Sequence, residues 1–323
     1  MNGNDISRRD WLRRATVASV ALGAGSLAAT EAPETPVGPA WKTAIGLNGF
    51  ESSGTRYGKR FAIWEIVDYA ARAGFDGVEL VQNWPQGPYP GAGEATRVGA
   101  LRRFYERFGL KIFSIQTGAP GAFAPTRGAR EGWIAQMRER IALARALGCD
   151  CVGMWPFGGL RGQTIDKAIR HLAASFREVA KIAHDQGLVA AFEIEPPFVF
   201  NSEKHLKRIL EEADDPRVKT IHDPSHFDLM NGSSGKPHEM LARIGVEHIG
   251  YVHLTDSDGT LRDGGTSKHL AVGDGHIDVQ ASFETLRDGG FDGWMMIDGW
   301  QIPDPYDAGT KGIEAIHRFC KKA

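Results

Sequence analysis

Ionisable side chains follow each of the last four apolar runs of this chain, at the points where those runs end. Glu193 and Glu195 lie two residues apart after a run that begins at Val189, so in an extended strand both carboxylates point to one face. An unpaired carboxylate at the end of a buried run is costly, so a metal ion, an arginine or a proton must compensate its charge. The pair therefore predicts either a metal site or a structural ion pair with a helix arginine.

The three later runs end in the same way. Asp223 is followed three residues later by His226, His253 lies within an apolar stretch, and Asp298 closes the last run. Taken singly, His226 could cap the next element and His253 could be a satisfied core histidine. Together these ends predict one divalent metal held by three carboxylates and one imidazole. This oxygen-rich set favours Mn²⁺, with Mg²⁺, Co²⁺ or Zn²⁺ as alternatives.

The elements that would position these residues alternate between short apolar runs and helical patterns. In the helical segments apolar residues recur three and four apart, and several segments end at a glycine such as Gly74 or Gly148. Eight alternations, with no glycine-rich phosphate loop after the first strand, predict an α/β fold closed as a (β/α)8 TIM barrel. Chemistry in such a barrel occurs where strands end. The predicted strands are Thr43–Leu47, Gly77–Val81, Lys111–Thr117, Cys151–Trp155, Leu188–Glu195, Val218–Asp223, Ile249–Leu254 and Trp294–Asp298.

The composition fits one soluble domain and narrows the possible partners. With 38 basic and 40 acidic side chains the formal net charge is −2, so no global field attracts nucleic acid or an anionic membrane. A small neutral substrate is compatible with this charge, and so is a homo-oligomer. The three cysteines, Cys149, Cys151 and Cys320, show neither a disulfide nor a zinc-ribbon pattern and are predicted to be free thiols.

The first 40 residues have a different character. Two arginine pairs, at residues 8–9 and 13–14, precede an uncharged run of small residues from Ala15 to Ala29. This arrangement resembles a twin-arginine export signal, and the run is too short and too weakly apolar for a stable membrane span. An amphipathic helix of a cytoplasmic protein is the alternative. The sequence thus predicts an export leader and linker over residues 1–40, a periplasmic location, and a catalytic barrel domain over residues 41–323.

The motifs at the strand ends also carry a family resemblance. Phe192–Pro197, Asp223–His226 and the segment 252–278 resemble the sugar phosphate isomerase/epimerase family of xylose isomerase-like TIM barrels, which includes ketose 3-epimerases, inosose dehydratases and endonuclease IV relatives. The fourth ligand of the sugar epimerases is commonly a glutamate, whereas this chain has the shorter Asp298. The resemblance implies the metal ligands Glu195, Asp223, His253 and Asp298, and the substrate-binding residues His226, Arg262 and His269.

A metal held in this way predicts chemistry next to a sugar carbonyl. It would act as a Lewis acid, while Glu195 and Asp298 serve as base and acid on an enediolate intermediate. Trp155 could stack on a sugar face, or pack ordinarily at the barrel mouth. The sequence therefore predicts a divalent-metal-dependent isomerase or epimerase of a sugar or keto-sugar, and export argues against a phosphorylated cytoplasmic substrate.

Three other functions remain open from the sequence. The first is a sugar lyase or dehydratase, for example one acting on an inosose or a 3-keto-glycoside, because loss of a leaving group from the same intermediate gives that reaction. The second is a metal-dependent endonuclease on the same fold, which would need more histidines at strand ends and a basic surface. The third is an exported sugar-binding protein without catalytic activity.

Overall fold

Eight parallel strands close into a barrel in sequence order, with the last strand pairing with the first. The structure is a computed structural model, and it describes residues 40–81 and 88–322. This closed barrel confirms the predicted fold class. The strands are β1 (Lys42–Gly46), β2 (Gly77–Val81), β3 (Lys111–Gly118), β4 (Cys151–Trp155), β5 (Val189–Phe192), β6 (Lys219–His222), β7 (Ile249–Leu254) and β8 (Trp294–Ile297).

Helices surround the strands and bury one apolar face each. The glycine endings have the predicted role, because Gly74 and Gly148 adopt the left-handed conformation (φ 87° and 80°) that ends an α-helix. The helices are α1 (Leu47–Tyr57), α2 (Ile63–Ala73), α3 (Ala95–Glu106), α4 (Arg127–Leu147), α5 (Ile165–His184), α6 (Glu203–Ala213), α7 (Pro224–Met230), α8 (Pro237–Ile244), α9 (Val279–Asp288) and α10 (Pro305–Lys322), and a 3₁₀ turn covers Val246–His248.

Large side chains fill the interior of the barrel below the strand ends. Phe113 stacks on Trp294 with 4.6 Å between ring centroids, and Tyr251 packs edge-on against Phe113. A Cβ at Gly153 would lie 2.0 Å from the Tyr251 hydroxyl, so only glycine allows this ring to lie across β4. Because this layer is packed, access to the interior is left at the carboxyl ends of the strands.

The fifth strand is shorter than predicted, and this changes the geometry of the candidate site. It ends at Phe192, whereas the prediction extended it to Glu195. Two prolines follow, Pro196 and Pro197, which lack the N–H group needed to continue a ladder. Glu193 and Glu195 therefore lie in the loop after the strand and are free of strict strand alternation.

The predicted leader falls on residues 1–39, which lie outside the described residues, so that prediction is untested. Within the described part of the chain, no helix is long and apolar enough to cross a membrane. Cys149, Cys151 and Cys320 are free thiols, as predicted.

Candidate active site

Four ionisable residues meet at the carboxyl ends of β5 to β8. Glu193, Asp223 and Asp298 each directly follow a strand, and His253 lies within β7. Neighbouring parallel strands end at the same edge, so their terminal side chains converge. All four are buried, with at most 4% of each residue exposed. We call these four residues the strand-end cluster.

His253 lies between carboxylates on both sides of its ring. Its Nδ1 is 2.8 Å from Glu193 Oε1 and 3.6 Å from Asp298 Oδ2, and its Nε2 is 3.1 Å from Glu79 Oε2. Glu79 in turn accepts a 2.9 Å hydrogen bond from the Tyr251 hydroxyl. Burial lowers the pKa of His253, but Glu193 and Glu79 outweigh burial, so the pKa lies well above its ordinary value. The imidazole is thus oriented by a carboxylate on each ring nitrogen.

Asp223 uses one oxygen for the fold and leaves the other for the site. Its Oδ1 caps α7 by accepting from the backbone N–H groups of Ser225 (2.7 Å) and His226 (3.1 Å). Its Oδ2 is buried and has no hydrogen-bond partner among the described residues. That oxygen lies 3.7 Å from His269 Nε2 and 3.8 Å from His226 Nε2. Burial raises the pKa of Asp223, which is the expected direction for a carboxylate that lacks a close cation.

His269 bridges the gap between two carboxylates without a hydrogen bond to either. Its Nε2 is 3.7 Å from Asp223 Oδ2 and its Nδ1 is 3.8 Å from Asp298 Oδ1. Burial lowers the pKa of His269, but the opposite effect of the Asp223 and Asp298 carboxylates is larger, so the pKa is raised to about 9. Asp298 is held by 3.1 Å and 2.8 Å hydrogen bonds from the Asn48 amide and the Trp300 backbone. Burial would raise the pKa of Asp298, but His269 and His253 hold it well below its usual range.

The two glutamates of the β5 loop have different surroundings. Glu193 Oε2 accepts hydrogen bonds from Gln116 Nε2 (2.8 Å) and Trp155 Nε1 (2.7 Å), which aim its other oxygen at His253. Glu195 accepts from Thr266 Oγ1 at 2.8 Å, and its side chain keeps 15% exposure. Burial, followed by the negative charge of Glu193, raises the pKa of Glu195 to about 8.

The donor atoms fit a divalent cation. Three groups among the described residues bring ligand atoms within 4.8 Å of one another, and the unpartnered Asp223 Oδ2 is an oxygen that a cation would satisfy. The structure groups Asp223 and His253 with Glu193, whereas the predicted ligand Glu195 lies with Glu193 and His226. The assignment of Glu195 as a ligand stays a prediction. Glu193 is the better candidate, because it lies closer to the other predicted ligands, Asp223 and His253. The groups are Asp223–His226–His269, Glu193–Glu195–His226 and Glu193–Asp223–His253.

A cavity of about 350 Å³ opens beside the strand-end cluster. Three predicted substrate-binding residues, His226, His269 and Trp155, line it together with Glu195. The guanidinium group of Arg262 instead donates to the carbonyl oxygens of Gln301 (3.1 Å) and His269 (3.5 Å). Arg262 therefore stabilises the loop after β7 through these two hydrogen bonds. Its contact with substrate stays a prediction.

Several supporting residues were not found from the sequence. Gln116 and Tyr251 contact members of the cluster or Glu79, and Asn48 holds Asp298. The available signal was a polar group inside an apolar run: Gln116 in β3 is fully buried, and a buried amide needs a partner. From the sequence, Glu79 could either face the pocket or form a structural ion pair, and in the structure its Oε2 lies 3.1 Å from His253 Nε2.

A family model described as the xylose isomerase-like TIM barrel matches residues 67–322. An inosose dehydratase from Lacticaseibacillus casei is 21% identical over 281 residues, which cover 79% of this chain and 88% of that protein. An inosose dehydratase from Geobacillus thermodenitrificans is 24% identical over 164 residues, covering 46% of this chain and 54% of that protein.

Two solved structures show the same fold at low identity. The IOLI protein with a binding zinc atom has a TM-score of 0.64 at 15% identity, covering 87% of this chain and 98% of that chain. D-psicose 3-epimerase with D-tagatose, from Clostridium cellulolyticum H10, has a TM-score of 0.65 at 17% identity, covering 87% of this chain and 100% of that chain. At these identities the structural similarity supports the fold alone.

Proposed function

This chain belongs to the xylose isomerase-like TIM barrel family, and from that premise we propose that it is an enzyme that binds one divalent metal and modifies a sugar. The observation that carries the proposal is the strand-end cluster, in which Asp223 Oδ2 is buried and unpartnered beside imidazole nitrogens. A buried carboxylate oxygen of this kind needs a cation or a proton to compensate it, and a divalent metal would serve all the neighbouring donors at once. The IOLI protein, which has the same fold, was solved with a binding zinc atom, and this supports a metal in a barrel of this kind.

We assign the metal ligands as Glu193, Asp223 and His253, whose ligand atoms lie within 4.8 Å of one another. We add Asp298, whose Oδ2 is 3.6 Å from His253 Nδ1, and we expect Mn²⁺ because three of the four donors are carboxylates. Bound there, the cation would supply Lewis-acid polarisation of a substrate carbonyl. Glu79 accepts from His253 Nε2, which leaves Nδ1 facing Glu193 and Asp298. A carboxylate behind a ligating histidine fixes the tautomer and orientation of its ring.

Proton transfer falls to the carboxylates that reach the cavity. Glu195, with a pKa near 8, can hold or release a proton close to neutral pH, and Thr266 orients it. Asp298 has a pKa held low by His269 and His253 against the effect of burial, so it takes part as a carboxylate. Glu195 is therefore the stronger candidate for the base that removes the proton next to the carbonyl, and the predicted role of Asp298 as the acid stays a prediction.

We propose epimerisation or isomerisation of a keto-sugar as the reaction. The D-psicose 3-epimerase neighbour, which shares the fold, is compatible with this choice. Dehydration is the second candidate, because the inosose dehydratase of L. casei aligns with 79% of this chain. Both reactions begin with removal of a proton next to a carbonyl, and they differ in whether a neighbouring hydroxyl then leaves.

Solvent-deuterium exchange tests the proposal and separates the two reactions. The Mn²⁺-loaded protein is incubated with keto-sugars and an inosose in deuterated water and followed by NMR. Epimerisation gives deuterium at the carbon next to the carbonyl with the formula otherwise retained, whereas dehydration gives loss of water. Absence of both from every substrate, in protein shown to hold the metal, contradicts a sugar-modifying enzyme of this kind.

We also propose that residues 1–40 are an export leader and linker and that the mature protein is periplasmic. The arginine pairs and the small-residue run of the sequence support this. Cell fractionation with N-terminal sequencing tests it: a full-length N-terminus in the cytoplasm contradicts export.

A further inference from the structure

Phe157 separates two adjoining cavities at the mouth of the barrel, one beside the strand-end cluster and one of about 110 Å³ behind the ring. We propose that the substrate is an uncharged glycoside of a keto-sugar, whose apolar aglycone lies on Phe157 and Phe198 while its sugar ring lies at the cluster. The placement of the sugar ring rests on the proposed function. The nature of the aglycone rests on the two cavities and on the ring between them.

The side chains of the first cavity disfavour an anionic sugar. Its lining has no lysine or arginine among the described residues, and residues 82–87 contain none in their sequence. A phosphate or carboxylate group is normally bound by such cations or by helix N-termini. Carboxylates outnumber cationic side chains in this lining, so it disfavours a phosphorylated or carboxylated sugar. The carboxylates in the lining are Glu51, Glu193, Glu195, Asp263 and Asp298.

An aromatic wall runs outward from the cluster. Trp155, which donates to Glu193, stacks on Phe157 with 5.9 Å between centroids, and Phe157 meets Phe198 edge-on at 5.2 Å. Phe157 lies at the barrel mouth, and 38% of this apolar residue is exposed. A Cβ at Gly118 would lie 2.2 Å from its ring, so the ring lies directly on the backbone at the end of β3. The wall is therefore an apolar surface held in place, with one face open to a ligand.

The second cavity continues this wall and is itself apolar. Its lining includes Pro120, Phe123, Ala124 and Ala129, with Arg161 as the charged member. Its volume of about 110 Å³ is several times the ~10–15 Å³ that a single water requires. A free monosaccharide has no apolar group for this space, and a second sugar would meet few hydrogen-bond partners there. A sugar linked to an apolar group matches both cavities.

Calorimetric titration of the Mn²⁺-loaded protein with unreactive glycosides tests the inference. Phenyl glucopyranoside, taken as both anomers, is expected to bind about tenfold more tightly than methyl glucopyranoside because its ring packs on the aromatic wall. Phe157→Ala is expected to abolish that preference while the affinity for the methyl glycoside changes less than about twofold. Trp64→Ala, which removes a 63% exposed aromatic on α2, is the matched control and should keep the preference.

Two further variants test whether the Phe157 ring is the source of the phenyl preference. Phe157→Leu keeps an apolar side chain but loses the ring, so it should retain only part of the preference. Gly118→Val should displace the Phe157 ring and lower the phenyl preference, although Gly118 itself lines neither cavity. Equal affinity for the two glycosides, an unchanged preference in Phe157→Ala, tighter binding of cellobiose or glucose 6-phosphate, or no binding of any glycoside overturns the inference.

Metal titration of the same samples separates this inference from the proposed function. If the wild type and Phe157→Ala bind Mn²⁺ equally and the wild type exchanges deuterium, a missing phenyl preference overturns the glycoside alone. If the wild type binds no divalent metal, the proposed function fails and the glycoside inference fails with it.

Discussion

The two halves of the barrel contribute different kinds of side chain to the strand-end cluster and its hydrogen bonds. Strands β5 to β8 each bring an ionisable residue to the strand-end cluster. The elements of the first half bring an amide or an aromatic group, namely Asn48, Gln116 and Trp155, and each donates a hydrogen bond to a cluster carboxylate. Glu79 is the exception, because it lies beneath His253 rather than at a strand end. The second half thus holds the reactive groups and the first half orients them.

Removal of a second-half carboxylate should have the largest effect. Glu193→Gln keeps the size of the side chain but loses its charge, so Mn²⁺ affinity measured by calorimetry should fall by more than about 100-fold, and turnover with it. Asp223→Asn should do the same while keeping an N-cap for α7.

Stability provides a second readout for these variants. Mn²⁺ at about 100 times its Kd should raise the free energy of unfolding of the wild type by about 2.7 kcal/mol, and a chelator should reverse the gain. Glu193→Gln should show almost none of it. If Glu193→Gln bound Mn²⁺ as tightly as the wild type, the metal would have to be held by another set of residues.

Replacement of Glu195, the second glutamate in the loop after β5, should separate proton transfer from metal binding. Glu195→Gln should lower turnover by about 10²- to 10⁴-fold, because the loop loses its proton-transfer group, while Mn²⁺ affinity changes less than about threefold. The paired metal titration is the check. A loss of metal in Glu195→Gln equal to that in Glu193→Gln would restore Glu195 as a ligand.

Replacement of Glu79, which lies beneath His253, should have a smaller effect on Mn²⁺ affinity. Glu79→Gln keeps a hydrogen-bond acceptor for His253 Nε2 but removes the charge, so Mn²⁺ affinity should fall about 10- to 100-fold with the fold intact by circular dichroism. Tyr251→Phe removes only the hydrogen bond to Glu79 and should cost less than Glu79→Gln. Unchanged affinity in both variants would show that the first half does not control this histidine.

The smallest effect should come from the aromatic support of the first half. Trp155→Phe removes one hydrogen bond to the Glu193 carboxylate, and Gln116 still donates to the same oxygen. We expect the free energy of unfolding in urea to fall by about 1.5–3 kcal/mol and Mn²⁺ affinity to fall less than about tenfold. Trp64→Phe, on the exposed side of α2, is the matched control and should change neither quantity.

The barrel and the strand ends could be read from the sequence because both depend on local patterns. Alternating apolar runs and glycine-terminated helices give the (β/α)8 fold, and β2, β4 and β7 have the predicted bounds. Asp223, His253 and Asp298 follow or close apolar runs, so the fold alone brings them together.

The choice between Glu193 and Glu195 could not be read in that way. In an ideal strand the two share a face, and only the end of β5 at Phe192, before two prolines, gives them separate surroundings. The contacts of His253 with Glu79 and of Tyr251 with Glu79 join residues 174 and 172 positions apart, across the barrel. Such pairs depend on strand register, which no local pattern specifies.

Anomalous diffraction from crystals grown with Mn²⁺ would locate the ion. The expected result is one strong peak within coordination distance of Glu193, Asp223, His253 and Asp298, with Glu79 behind the histidine. These four residues are not the ligands if no peak lies between their side chains, or if the ion is held by Glu195 while Glu193 points away.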